Sequence, residues 1–151
     1  MRLSKEQLEQ FDTDGYLIVE NALEDADIDP VIDEYSAHID RRAHELLDEG
    51  KISSLHEEEP FEQRLASIYK ENGEIYPELD IYRLRTNAGF HFLRNENLID
   101  LVESIVGSEI TCSPIQHLRA KLPSGLMEGG RDGHVAPWHQ DMGVTLEDAD
   151  P

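Results

Sequence analysis

Helix-type and strand-type apolar spacings occupy different parts of this sequence, and their separation constrains the fold most. Apolar residues recur at helical intervals as far as Gly107, whereas the later segments are rich in β-formers. Helices and strands that are separated along a chain are typical of an α+β fold. We therefore predict helices over about 1–107 and the start of a β-structure over about 108–151, with strands at 110–112, 115–122 and 135–144.

The helical part carries clear start and stop signals. Ser4 and Gln7 form a capping-box pattern at the start of a first helix. Asp29 followed by Pro30 suits the start of the longest helix, and Gly50 suits its end. Two further helices are predicted at 61–69 and from Asn95 to Gly107.

The segments between these helices are predicted to be a strand and a loop. Asp14-Gly15 is a turn signal, and the β-formers of 16–19 that follow it predict a buried strand. The segment 51–60 is acidic and predicts a loop.

Charge excludes several classes of partner. The chain has 33 Asp and Glu against 13 Lys and Arg, which gives a net charge of −20. Nucleic acids and anionic membranes bind clustered cations, so neither is expected as a partner. The surplus of acids lies mainly in 20–60, which predicts a solvated helical face, while the nearly neutral 81–122 could flank a site for a small anion.

Length indicates one domain, and the lack of a predicted signal peptide or membrane span makes the cytoplasm its expected location. The 151 residues fit a single domain, and the lone Cys112 excludes an internal disulfide and a cysteine-rich zinc site. The amino end is polar and no apolar run approaches 18 residues, so neither a signal peptide nor a membrane span is predicted.

Candidate metal ligands lie in the segment Trp138-His139-Gln140-Asp141. On a strand, residues two apart share a face, so His139 and Asp141 would converge. One imidazole and one carboxylate make two of the three ligands of the facial triad that non-haem Fe(II) oxygenases use. Alone, such a pair is also common on an ordinary surface strand.

The surrounding sequence adds a resemblance. The segment P-W-H-Q-D-M-G follows Q-H-L-R-A-K-L-P after a Gly-rich loop, and the amino end carries D-G-Y-L-I-V-E-N-A-L. In these segments the chain resembles the phytanoyl-CoA dioxygenase family of Fe(II)- and 2-oxoglutarate-dependent oxygenases, and the related ectoine-hydroxylase-type enzymes. The resemblance covers 4–23 and 95–151 and is poor over 24–94.

The resemblance implies a fold, cofactors and further ligands. It implies a double-stranded β-helix, or jelly roll, with Fe(II) held by His139, Asp141 and a second histidine. It also implies an arginine that binds 2-oxoglutarate, on a strand well downstream. The chain ends ten residues after Asp141, so neither of these two residues is assigned, and we expect this chain to be the amino-terminal half of a longer enzyme.

Three other polar residues are weaker candidates. By the resemblance, Lys121 could provide a point charge for the 2-oxoglutarate carboxylate, or it could be an ordinary surface lysine. Gln116 could face substrate or cofactor, or be an ordinary sheet residue. His134 precedes the His139 strand and could replace the third ligand, although a loop histidine is the simpler interpretation.

These observations predict an incomplete jelly roll with helices packed on its first strands. By resemblance, the parent enzyme hydroxylates a small organic substrate with Fe(II) and 2-oxoglutarate. The alternative is a catalytically silent metal-binding or interaction module that keeps the first half of the fold. In either case, open sheet edges would expose unpaired backbone groups and favour self-association.

Overall fold

The computed structural model describes residues 1–112, 120 and 122–123. The chain divides into two compact units, Met1–Arg119 and Ala120–Pro151. The described helices all lie in the first unit. They are α1 (Lys5–Asp14), α2 (Asp25–Asp48), α3 (Phe61–Glu71), a 3₁₀ helix (Tyr76–Leu79), α4 (Asn87–Phe92) and α5 (Glu96–Val106).

The predicted α+β fold with a jelly roll is wrong, because none of the described residues lies in a β-strand. The segments 16–19 and 110–112 were both predicted as strands and are irregular. Tyr16 is 61% exposed and Ile18 is 77% exposed, so the first segment is not buried either. A strand needs backbone hydrogen bonds from a neighbour, and β-propensity cannot provide that neighbour. The predicted strands 115–122 and 135–144 lie outside the described residues, except that Ala120 and Leu122 are described and are not in strands.

Helix α1 begins and ends as its sequence predicts. The Ser4 hydroxyl accepts a hydrogen bond from the Gln7 backbone N–H at 3.2 Å, and the Gln7 side chain accepts one from the Ser4 N–H at 2.9 Å. This reciprocal pair satisfies two N–H groups that have no partner within the helix. Gly15 ends α1 with a φ of 76°, a left-handed conformation that glycine adopts without strain.

Helix α2 begins five residues earlier than predicted. The Glu24 N–H donates to the Asp27 carboxylate at 2.9 Å, so the capping contact lies at Glu24 rather than at Asp29. Pro30 is therefore inside the helix, where it has no N–H to donate to the Ala26 carbonyl. The predicted end is confirmed: the Gly50 N–H bonds the Leu47 carbonyl and the Lys51 N–H bonds the Leu46 carbonyl, the paired bonds of a Schellman motif.

The core lies between the later turns of α2, helix α3 and the connecting segments. The buried α2 residues recur at intervals of three and four, which places them on one face of the helix. Leu46, Ile68 and Ile75 have no exposed surface. The complete apolar core of the described residues consists of Tyr35, Ile39, Ala43, Leu46, Ile52, Leu65, Ala66, Ile68, Ile75 and Leu79.

Helix α4 packs on α2 and was not predicted. Its Ala88 N–H donates to the Glu34 carboxylate of α2 at 2.8 Å. The Thr86 hydroxyl caps α4 by accepting from the Gly89 N–H at 2.9 Å, and a Cβ at Gly89 would lie 2.9 Å from the same hydroxyl. Glycine is therefore needed for this tight first turn.

Polar contacts join helix α5 to Asp27 of α2 and to the amino end of the chain. Asn95 caps it as predicted, and the side chains of Asn95 and Asn97 both donate to the Asp27 carboxylate of α2, at 2.7 and 2.9 Å. The Met1 ammonium group lies 2.7 Å from the Asp100 carboxylate. Helices α1, α4 and α5 contain no fully buried residue, which distinguishes them from α2 and α3.

None of the described helices combines the length and the apolar character that crossing a bilayer requires.

Candidate functional site

The predicted site residues lie outside the part of the chain that the structure describes. This applies to the metal-ligand candidates His139 and Asp141, to Lys121 and Gln116, and to His134. Their assignment therefore remains a prediction from sequence.

Within the described residues, Asp40, His44 and Glu57 form a group with ligand-type atoms. Asp40 and His44 occupy consecutive turns of α2, so their side chains share a face. His44 Nε2 lies 3.9 Å from Asp40 Oδ2 and 4.0 Å from Glu57 Oε1. The three ligand atoms all lie within 4.8 Å of one another.

Arg64 of α3 holds this group together. Its guanidinium donates to Asp40 Oδ1 at 2.7 Å and to the Leu55 carbonyl at 3.1 Å. One side chain thereby fixes the loop before α3 against α2, two residues from Glu57. The Arg64 side chain is 14% exposed and that of Asp40 is 44% exposed, so the pair is shielded from solvent on the arginine side only.

The same loop is anchored a second time, to the end of α3. The Glu71 carboxylate accepts from the Ser53 N–H at 2.6 Å and lies 2.7 Å from His56 Nε2. These contacts, the His56 contact first, lower the pKa of the Glu71 carboxyl. His56 has a φ of 50°, a left-handed conformation that is uncommon outside glycine. The loop is therefore a defined structure in spite of its high content of acids.

The chemistry of the Asp40 group is that of an ion-pair network. Imidazole and carboxylate ligands suit Zn²⁺, Mn²⁺ and Fe²⁺. At bond lengths of about 2.1 Å, ligands at right angles lie about 3 Å apart, so these side chains would have to close by about 1 Å. The hydrogen bond from Arg64 lowers the pKa of the Asp40 carboxyl and already compensates its charge. A divalent cation at this position would also be repelled by the guanidinium.

A second titratable cluster joins α2 to the 3₁₀ helix around the buried His38. Because a guanidinium can only donate, the Arg41 contact at 2.8 Å makes His38 Nδ1 an acceptor, which places the ring proton on Nε2. His38 Nε2 lies 3.4 Å from Glu78 Oε2, and Arg42 Nε lies 2.8 Å from the same oxygen, both without hydrogen-bond alignment. Burial, and then the charge of Arg41, lower the pKa of His38, so this histidine is neutral at pH 7.

The Asp40 group was not among the site residues predicted from the sequence. The spacing of Asp40 and His44, four apart on a strongly predicted helix, was the available signal. Glu57 could not have been identified, because its position depends on Arg64 and on the conformation of the loop.

Comparison of the chain with models of known protein families, with curated proteins and with solved structures finds no match.

Proposed function

We propose that this chain provides two Fe(II) ligands, His139 and Asp141, to an oxygenase that uses 2-oxoglutarate and O₂ to hydroxylate a small organic substrate. The observation that carries the proposal is the segment P-W-H-Q-D-M-G, which places an imidazole and a carboxylate two residues apart. This mixed nitrogen and oxygen donor set is the one that non-haem Fe(II) oxygenases use.

The helices give limited additional support. The resemblance to the phytanoyl-CoA dioxygenase family includes a helix near the amino end and another that ends in I-V-G, and the chain has α1 and α5 at these positions. The described residues offer no support for the strands of that family. The proposal therefore depends on the chemistry of the motif rather than on the fold.

The roles of the residues follow from their donor atoms. His139 would give a neutral ring nitrogen and Asp141 a carboxylate oxygen, and together they would leave positions open for 2-oxoglutarate and O₂. Lys121 would provide a positive charge for a 2-oxoglutarate carboxylate, and Gln116 would hydrogen-bond substrate or cofactor. Bound iron would supply the activation of O₂, with 2-oxoglutarate oxidised to succinate and CO₂ as the substrate gains a hydroxyl group.

Metal binding is the first test, with Co²⁺ as a spectroscopic probe. The complete chain is titrated with Co²⁺ without O₂, and the visible absorption of the bound ion is followed. We expect His139→Ala and Asp141→Ala each to weaken binding at least tenfold, because each removes one of two assigned ligands. Asp40→Ala is the matched control, since it removes a carboxylate from the group on α2.

Loss of binding in Asp40→Ala, with binding retained in both motif variants, would contradict the proposal. Turnover is the second test: succinate release is measured after Fe(II), 2-oxoglutarate and O₂ are added to the protein. We expect none from this chain by itself, because neither a second histidine ligand nor an arginine for 2-oxoglutarate is assigned in it. Metal binding at His139 and Asp141 without 2-oxoglutarate binding would favour the alternative, a catalytically silent metal-binding module.

A further inference from the structure

A short basic segment interrupts the acidic surface of this protein. Residues 81–95 contain three arginines, Arg83, Arg85 and Arg94, and no Asp or Glu, although the chain has a net charge of −20. All three arginines are exposed. Within the described residues, none of their side chains takes part in an ion pair or a side-chain hydrogen bond, whereas Arg42 and Arg64 do.

Helix α4 arranges part of this segment on one outer face. Asn87, Phe90 and His91 are exposed, and they are spaced by three and four residues, which places them on one side of the helix. Arg94 follows the helix, two residues after its end, and is also exposed. The residues between them are partly buried, and Ala88 bonds to α2 on the opposite side. The outer face therefore presents its polar and aromatic groups to solvent.

In the sequence, an aromatic residue lies between Arg85 and Arg94. Phe90 is 60% exposed, and its ring stacks edge-to-face with His91 at a centroid distance of 6.3 Å. Aromatic residues and arginine are both enriched in protein interfaces. We propose that this face of α4, with Phe90, and the arginines that flank the helix, Arg85 and Arg94, form a docking surface for an acidic peptide segment of another protein.

The dimensions of α4 define the peptide. Helix α4 rises about 9 Å over its six residues, and Arg85 and Arg94 lie two residues before and two residues after it. In an extended peptide, at about 3.3 Å per residue, side chains alternate between two faces, so two carboxylates four residues apart share a face and lie about 13 Å apart. Each guanidinium can bind one carboxylate in a forked geometry, and an apolar side chain between the carboxylates would cover Phe90. The expected ligand is thus a segment with two Glu four residues apart and an apolar residue midway between them, on the same face.

Charge also decides against a nucleic acid. A nucleic acid carries many phosphates, and three arginines can contact only a few of them. The acidic remainder of the surface would repel the other phosphates. A short peptide places its few carboxylates only at the basic face. Charge complementarity therefore favours the peptide.

The probe is a fluorescein-labelled peptide that contains Glu-Ser-Leu-Ser-Glu flanked by Gly and Ser, and binding to the complete chain is measured by fluorescence polarisation. We expect a Kd of about 10–100 µM at low salt, in the range of transient peptide recognition, and weaker binding as salt rises. The same peptide with both Glu replaced by Gln should bind at least tenfold more weakly.

Variants of the protein give the matched comparison. Arg85→Gln with Arg94→Gln should weaken peptide binding at least tenfold, whereas Lys5→Gln with Lys70→Gln removes the same charge elsewhere and should change it less than twofold. Phe90→Ser should weaken binding several-fold. Equal loss in both double variants, equal binding of the Gln peptide, no binding at 1 mM peptide, or tighter binding of a single-stranded oligonucleotide would each overturn the proposal.

Discussion

Replacing Ile by Ala should lower the free energy of unfolding strongly at one position and weakly at another, because the structure places one isoleucine in the core and one in solvent. Ile68 is fully buried in α3, and Ile18 is 77% exposed in a segment that its sequence predicts to be a buried strand. Replacing each by Ala therefore tests where the core lies and whether the strand prediction was wrong.

The magnitudes follow from burial. Ile→Ala removes three carbon groups, worth about 2.4 kcal/mol of transfer free energy when fully buried. At Ile68 the cavity adds about 1 kcal/mol and the better helix propensity of Ala returns about 0.4 kcal/mol, so the free energy of unfolding should fall by about 3 kcal/mol. At Ile18 about a quarter of the side chain is covered, so the loss should be about 0.5 kcal/mol.

Urea unfolding followed by far-ultraviolet circular dichroism measures both values. The two variants should differ by more than 2 kcal/mol at an unchanged denaturant slope. If Ile68→Ala proves too unstable to purify, Ile68→Val should still lose about 1 kcal/mol. A loss at Ile18 equal to that at Ile68 would refute this reasoning, because it would require Ile18 to be buried.

Two further predictions concern the ends and the contacts of α2. Folding lowers the pKa of His38, so the unfolded chain binds the proton more readily than the folded chain does. The stability that His38 contributes is therefore complete above pH 6.5 and is lost as pH falls through the folded-state pKa. The melting temperature measured from pH 7.5 to 5 should therefore fall less in His38→Gln than in the parent protein, and parallel curves would assign the decline to other groups. Gly50→Ala should cost about 1 kcal/mol, because Gly50 has a φ of 70° and open space around it, so backbone strain is the whole cost. Gly50→Asn should cost less than Gly50→Ala in the same unfolding measurement, and equal stability of Gly50→Ala and the parent would contradict this reason.

Helix ends were predictable where the capping contact is local. Ser4 with Gln7, Asn95 and Gly50 each act within one turn of the helix they limit, so the sequence contains the whole interaction. The start of α2 was mistaken because Asp29-Pro30 is a good local signal, whereas Asp27 is also held by side chains from the start of α5, far along the chain.

Strands and the side-chain cluster were less predictable, because both depend on distant partners. The β-formers of 16–19 have no strand beside them in the described part of the chain. The pair Asp40 and His44 can be recognised from its spacing, but its contact with Glu57 requires the Arg64 bridge between α2 and the loop. The metal-ligand prediction at His139 and Asp141 stays a prediction from sequence.

The polar attachment of α5 gives this helix a response to salt that differs from that of the core. Ions in solution screen the partly exposed pairs of Met1 with Asp100 and Arg2 with Glu103, while excluded salts such as sulfate strengthen apolar burial around Leu46 and Ile68. Amide hydrogens of α5 would consequently exchange through small local openings, and those of α2 and α3 through the larger opening of the core. We therefore expect ionic strength to change amide exchange in α5 more than in α2 and α3.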